Sequence, residues 1–334
     1  MSMSEKIVVI GSNSFSGASF IDFALNNNAE VTGLSRSEEY DPVFLPYRWG
    51  DLSKLNRFRF QQMDLNKDLD EIIKLINDFR PDYVINFASQ SMVAESWLNP
   101  EHWMMTNVVS TIRFHDRLRK CDFLKKYVHI STPEVYGSCN GLIQEHTYYN
   151  PSTPYAVSRA ACDMSLMTFF KNYNFPVVFT RAANVYGPGQ QLYRIIPRTI
   201  LFFLTGNKLQ LHGGGHSVRS FIHINDVADG TLKAAREGNP GDIYHFSTPQ
   251  NISIRSVVEL TAKIMNVEFS KFVEVADERP GKDSAYLLDS TKAKTGLGWK
   301  DRISLEQGIN DTIKWLKDNL EIIKKCSFDY IHKP

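Results

Sequence analysis

The 334-residue chain is 43% hydrophobic and 22% charged, the balance of a soluble globular protein of about two domains with a real core to bury. Its 38 Lys plus Arg stand against 37 Asp plus Glu, so no overall field draws it to nucleic acid or an anionic membrane, and an anionic ligand must be held by a local site. Four cysteines (Cys121, Cys139, Cys162, Cys326) without CxxC spacing or an accompanying His pair point away from a disulfide framework or a zinc centre and toward reduced thiols in a cytoplasmic protein.

The polar start "MSMSEK" runs straight into a strand, so no signal peptide is expected. "KIVVIG" (6–11) opens a series of short β-branched runs, followed by "AEVTGL" (29–34), "FRFQQMD" (58–64), "DYVINFA" (82–88), "KYVHIST" (126–132) and "PVVFTRAANVYG" (176–187). Most lack polar alternation, as strands covered on both faces do. Between them lie helical patterns, 16–27 with Ala18, Ile21 and Leu25 on one side and 68–79 with Leu69, Ile72, Ile73 and Ile76. The expected fold is α/β: a Rossmann-type doubly wound parallel sheet over 1–187, then a smaller C-terminal α/β substrate-binding region over 188–334, some of whose segments return to the first. That second region carries Gly- and Pro-rich loops with isolated arginines, a strand-like segment at 218–224 and a helix-like one at 304–320. The apolar run "TILFFLTG" (199–206) is too short to span a bilayer and reads as a buried helix or strand.

Several positions in this order speak of chemistry. Strand one ends in "GSNSFSG", Gly11 to Gly17, where a helix begins: Gly11 permits a sharp turn, Gly17 close packing, and the helix N-terminus offers N–H groups to a pyrophosphate. Asn13, Ser14, Phe15 and Ser16 fall inside this turn, with Ser14 where a middle glycine is usual and supplying a hydroxyl donor. At the end of strand two stand Ser35 and Arg36 rather than an acid, which favours NADP over NAD; the competing reading is a solvated arginine beside Glu38 and Glu39. Asp64, followed by Leu65, is a candidate acceptor for the adenine amino group or a plain turn aspartate. Ala88, Ser89 and Gln90 close strand four, while Thr132 and Glu134 follow strand five, where open α/β sheets bind ligands. Tyr155 and Arg159 share one helix face.

"STPEVYG" (131–137) and "TPYAVSRAACD" (153–163) together resemble the extended, nucleotide-sugar-modifying branch of the short-chain dehydrogenase/reductase superfamily. The resemblance covers nearly the whole chain and is nearest to the nucleotide-hexose 4,6-dehydratases, through 85–96, 106–113, 181–190, 219–228 and 278–299. It implies a homodimer that acts on a nucleotide-diphosphate sugar with a tightly bound, recycled NADP or NAD. Tyr155 would be the base and Thr132 its hydroxyl partner, with Arg159 in the place of the family's lysine. Glu134 would remove the C5 proton, and Pro133 stands where one type of relative has an acidic aspartate. Arg219 and Arg279 would hold the diphosphate, with Asn184 at the same end and Arg194 on phosphate or base. Ser91 and Gln90 would lie between nicotinamide and sugar, where Met92 replaces a frequent histidine. Two other readings stay open: a C4 epimerase, 4-dehydrogenase or decarboxylase of the same family, and a catalytically silent dinucleotide-binding regulator.

Overall fold

Short β-branched runs covered on both faces need helices on each side, and the chain supplies them in alternation. The computed structural model describes residues 4–139, 141–277 and 287–333. Its strands are β1 (Lys6–Ile10), β2 (Glu30–Ser35), β3 (Phe58–Gln62), β4 (Tyr83–Asn86), β5 (Lys126–Ile130), β6 (Leu142–Ile143), β7 (Val177–Ala182), β8 (Asn184–Tyr186), β9 (Leu209–His212), β10 (Val218–His223), β11 (Ile243–Phe246), β12 (Asn251–Ser253), β13 (Val273–Ala276) and β14 (Leu287–Leu288). Seven of them form one parallel sheet in the order β11-β7-β5-β4-β1-β2-β3. The order reverses between β1 and β4, the place where a crevice opens at the carboxyl edge of such a sheet. This is the Rossmann-type α/β fold.

The principal helices are α1 (Phe15–Asn26), α2 (Leu69–Phe79), α3 (Pro100–Met104), α4 (Thr111–Leu118), α5 (Pro154–Tyr173), α6 (Ile195–Thr205), α7 (Ile224–Glu237) and α8 (Ile254–Met265). In β1, Ile7 and Val9 face the layer that holds Ala18, Ile21 and Leu25 of α1, and Val8 and Ile10 face that of Ile72, Ile76 and Leu118. Strict alternation on an apolar strand thus feeds two cores at once. The helix α5 starts on Pro154, with Thr153 Oγ1 accepting from Ala156 N–H at 3.1 Å, a cap that fixes where Tyr155 sits.

One feature differs from the pattern expected of the sequence. The apolar run 176–187 is not one strand: it breaks at Ala183, β7 staying in the large sheet while β8 pairs with β10 in a three-stranded sheet with β12. Strand β11, well beyond residue 188, returns to pair with β7 at the edge of the large sheet. The run 199–206 lies mostly within α6, with Ile200, Leu201 and Phe203 buried, and among the described residues no helix is long and apolar enough to cross a membrane.

Candidate active site

The turn after β1 is tight because two glycines allow it. Gly11 has φ +82°, and a Cβ there would lie 2.6 Å from Ala88 N; one on Gly17 would lie 2.3 Å from Gly11 O. Ser14 caps α1, and its hydroxyl donates to Gly11 O at 2.7 Å while accepting from Gly17 N–H at 3.0 Å. The expected extra donor to a ligand is therefore spent within the turn, because a serine at an N-cap meets the nearest orphan N–H first. Asn13 reaches from the turn to the end of β2, donating to Ser37 O (2.9 Å) and Glu38 O (2.7 Å). Its Oδ1 and Ser12 Oγ are buried without a partner among the described residues. Orphaned polar atoms, a cradle that admits no Cβ and the first-turn N–H groups of Phe15 and Ser16 fit a dinucleotide pyrophosphate.

Around this turn, Arg36 follows Ser35 at the end of β2 and is half-buried; its Nη2 donates to Lys333 O at 3.0 Å. Glu39, the acid that competed for it, is taken by Arg48 (2.6 Å) and Tyr47. Asp64 Oδ1 accepts from Asn66 N–H at 2.9 Å, and Leu65 is buried in the apolar cluster that includes Ile10 and Ile73. Ala88 N–H is held by Asn86 Oδ1 (2.9 Å). Gln90 is pinned by Asn107, which accepts from its N–H at 2.8 Å and donates to its carbonyl at 3.0 Å, and also to Ser158 Oγ at 2.9 Å. Asn107 stands on a π-helical turn, Met105–Ser110, and was assigned no role from the sequence, although that turn falls within a stretch of resemblance.

The candidate reacting groups follow β5. Thr132 caps a short turn, Pro133–Tyr136, accepting from Glu134 N–H at 3.3 Å; Pro133 fills the first position, where no N–H is needed. Tyr155 is buried. Burial pushes its phenol above the usual value, the charges of Arg159 and Arg194 pull it back, Glu134 pushes it up again, and the Thr132 side chain near it draws it downward. Glu134, Arg159 and Arg194 thus lie within electrostatic reach of that hydroxyl.

Arg159 is 3% exposed, and its Nη2 donates to Ile130 O and lies 3.4 Å from His129 Nε2. That ring nitrogen is also 3.3 Å from Asp163 Oδ1, so it serves one neighbour at a time, as acceptor from the guanidinium or donor to the carboxylate. Asp163, fully buried, further accepts from Arg181 Nη2 (2.8 Å) and Ser131 Oγ (2.6 Å). Tyr155, Arg159 and Asp163 are four residues apart in turn, one stripe of α5. The guanidinium fork meets Ile130 O and His129 Nε2 together, a geometry that a single ammonium does not reproduce. Arg159→Lys is therefore expected to lower turnover by about tenfold. A steady-state rate equal to or above wild type would show the arginine to be merely tolerated.

On the sugar side, Ser91 is exposed just beyond Gln90, Asn184 lies on β8 and Arg219 on β10 of the same small sheet, with Arg219 Nη1 donating to Val218 O at 2.7 Å. Arg194 caps α6 within electrostatic reach of Tyr155. Arg279 lies outside the described residues. His115, His129 and Cys162 come within 4.8 Å of one another, a grouping the sequence spacing concealed, but all three are buried and both rings face Tyr127 OH. A separate groove lined by Lys6, Glu30 and Phe79 opens at the amino ends of β1 and β2, opposite Tyr155.

Residues 8–312 match the family model described as GDP-mannose 4,6 dehydratase. A probable dTDP-glucose 4,6-dehydratase of Sinorhizobium fredii is 30% identical over 94% of this chain and 93% of its own length. The human dTDP-D-glucose 4,6-dehydratase is 31% identical over 80% of this chain and 77% of its own. A dTDP-glucose 4,6-dehydratase from Streptomyces venezuelae, solved with NAD bound, superposes with a TM-score of 0.85 at 27% identity, covering 95% of this chain and 98% of that one. A UDP-glucose 4-epimerase of Thermotoga maritima, solved with UDP-glucose, gives 0.84 at 25% identity over 94% and 99%.

Proposed function

The chain belongs to the GDP-mannose 4,6-dehydratase family, and from that premise we propose that it is an NAD(P)-dependent nucleotide-sugar 4,6-dehydratase in which Tyr155, Thr132, Glu134 and Arg159 act on the hexose. The observation that carries the assignment of residues is that a buried phenol and a buried guanidinium one helical turn apart on α5 lie within electrostatic reach of the carboxylate of the Thr132-capped turn after β5. A dinucleotide held at the Gly11–Gly17 turn would supply a hydride acceptor for C4 and a hydride donor for C6. Tyr155 removes the C4 hydroxyl proton as that carbon becomes a ketone, and Thr132 and the charge of Arg159 support the phenolate. The ketone acidifies C5–H, and Glu134 takes that proton. Pro133 has no proton to give, so Glu134 delivers its own to the departing C6 hydroxyl as water leaves. Tyr155 keeps the C4 oxygen in place, and once hydride has added at C6 the resulting enolate takes a solvent-derived proton at C5, relayed by the Glu134 carboxylate, to leave the 4-ketone.

Arg219, Asn184 and Arg194, with Arg279, are proposed to grip the nucleoside diphosphate, and Ser91 to face the sugar. NADP is the favoured coenzyme: Arg36 stands at the end of β2 with the Lys333 ammonium near it, donating to Ser37 Oγ at 3.1 Å, and two cations suit a 2′-phosphate. We read 1–187 as the dinucleotide domain and 188–334 as mainly the sugar-nucleotide region, with α7 and β11 contributing to the former. A cytoplasmic homodimer is the proposed form; exposed Met105, Val109, Val157 and Met164 on the helical surface beside the Tyr155 segment supply an apolar face for it.

Incubation in heavy water with GDP-, dTDP-, UDP- and CDP-hexoses, followed by NMR, should give a 6-deoxy methyl group and deuterium at C5. An epimer lacking the methyl would support the alternative represented by the epimerase neighbour, in which Glu134 has no C5 chemistry. No turnover with dinucleotide still bound would support a silent binder. Glu134→Gln is expected to cut formation of the 6-deoxy product about a hundredfold while sparing coenzyme reduction. Product formed at the full rate would remove Glu134 from its role.

A further inference from the structure

Residues 326–333 alternate in exposure: Cys326, Phe328, Tyr330 and His332 turn inward, Ser327, Asp329, Ile331 and Lys333 outward. A period of two marks an extended chain laid along a surface. The segment is fastened along its length. Cys326 and Phe328 pack on the apolar cluster of the second region, and Arg198 donates to Phe328 O (3.3 Å) and pairs with Asp329 (3.0 Å). The Tyr330 ring meets Tyr193 edge-on at 5.4 Å, and His332 stacks on Trp103 with centroids 5.2 Å apart and rings 10° from parallel. His332 Nε2 also lies 2.9 Å from His102 Nδ1. At the far end, Lys333 O accepts from both Arg36 Nη2 (3.0 Å) and Gln90 Nε2 (2.7 Å).

Those last two donors fix where the segment runs. Arg36 follows β2, Gln90 follows β4, and β1 lies between those strands. A carbonyl bonded to both stands across the carboxyl end of β1, by the Gly11–Gly17 turn. Asn13 of that turn lines one cavity with Ser327 and Asp329. We propose that residues 327–333 form a strap over the coenzyme cleft, with Tyr330 and His332 as its tethers, and that the strap retains the dinucleotide through successive turnovers. The inference rests on the dehydratase reading, which supplies its logic: a coenzyme that regains its starting state within each cycle never has to leave, so retention does not slow the reaction. An enzyme exchanging coenzyme every turnover would be throttled by the same strap.

The test is a pulse-chase on the full chain, loaded separately with radiolabelled NADP+ and NAD+ and chased with unlabelled coenzyme. The Tyr330→Ala/His332→Ala variant is expected to release label at least about tenfold faster than wild type, and Tyr330→Phe, which keeps the ring contact, to release it slowly. Should the double variant fail to fold, Asp329→Ala, an exposed position, is expected to speed release by a smaller factor. Equal release from wild type and the variants overturns the strap. Slower release or tighter uptake after substitution also overturns it, by making the segment a plug that competes for the cleft. Failure of the dehydratase reading looks different: no 6-deoxy product from any nucleotide sugar, whatever the release rates.

Discussion

Tyr155→Phe is expected to fold and to bind coenzyme, yet to form the 6-deoxy sugar about a thousandfold more slowly, within the range usual for loss of a positioned acid or base. The ring is buried and its packing survives the change; what disappears is the one oxygen on which Thr132, Arg159, Arg194 and Glu134 all act. The effect should fall on turnover rather than on KM, because the lost proton transfer belongs to the transition state. Single-turnover mixing should show coenzyme reduction slowed by a similar factor. A variant retaining more than about a tenth of wild-type turnover would remove Tyr155 from the chemistry.

Asp163→Asn is expected to cost about 3–5 kcal/mol of stability, because it leaves Arg181 charged, buried and without its carboxylate. Urea unfolding measures the loss, and an effect under about 1 kcal/mol would mean that the network tolerates an unpaired cation. The pH dependence has a definite sign. Burial by itself raises the Asp163 carboxyl, but the His129 ring and the Arg181 charge outweigh it and hold the group at about 2, below an unfolded value of about 3.9. The carboxylate therefore contributes about 2 kcal/mol that is fully present above about pH 4 and is lost as pH falls toward 2. Over that window the stability of the Asn variant should fall less steeply than that of wild type.

Much of the site could be read along the chain because it obeys local rules. Gly11 and Gly17 are needed where a strand turns into a helix, and Thr132 and Glu134 follow a strand whose carboxyl end must face the crevice. The stripe Tyr155, Arg159, Asp163 was legible too, yet only its first two members were read as functional, since an aspartate late in a helix resembles a solvated one until Arg181 arrives from β7. Ser14 has a local engagement that spacing alone could not reveal, its hydroxyl bridging Gly11 O and Gly17 N–H within the turn. The break at Ala183 was hidden because strand-forming residues stand in both halves, Val177–Thr180 and Val185–Tyr186, and pairing partners, not propensity, decide which sheet each half joins. The strap was least legible, as its contacts join positions 243 and 297 residues apart.

Ala183 has a bearing on how such an enzyme changes its diet. One residue separates the strand that abuts β5 from Asn184, which starts the strand beside Arg219's own. If Asn184 and Arg219 hold the sugar nucleotide as proposed, the spacing between coenzyme and sugar is set by a covalent joint too short to flex, as the fixed jaw of a caliper is set by its frame. New hexoses or bases are then accommodated by exchanging loops after 188, whereas lengthening the joint by even one residue would misalign both grips together.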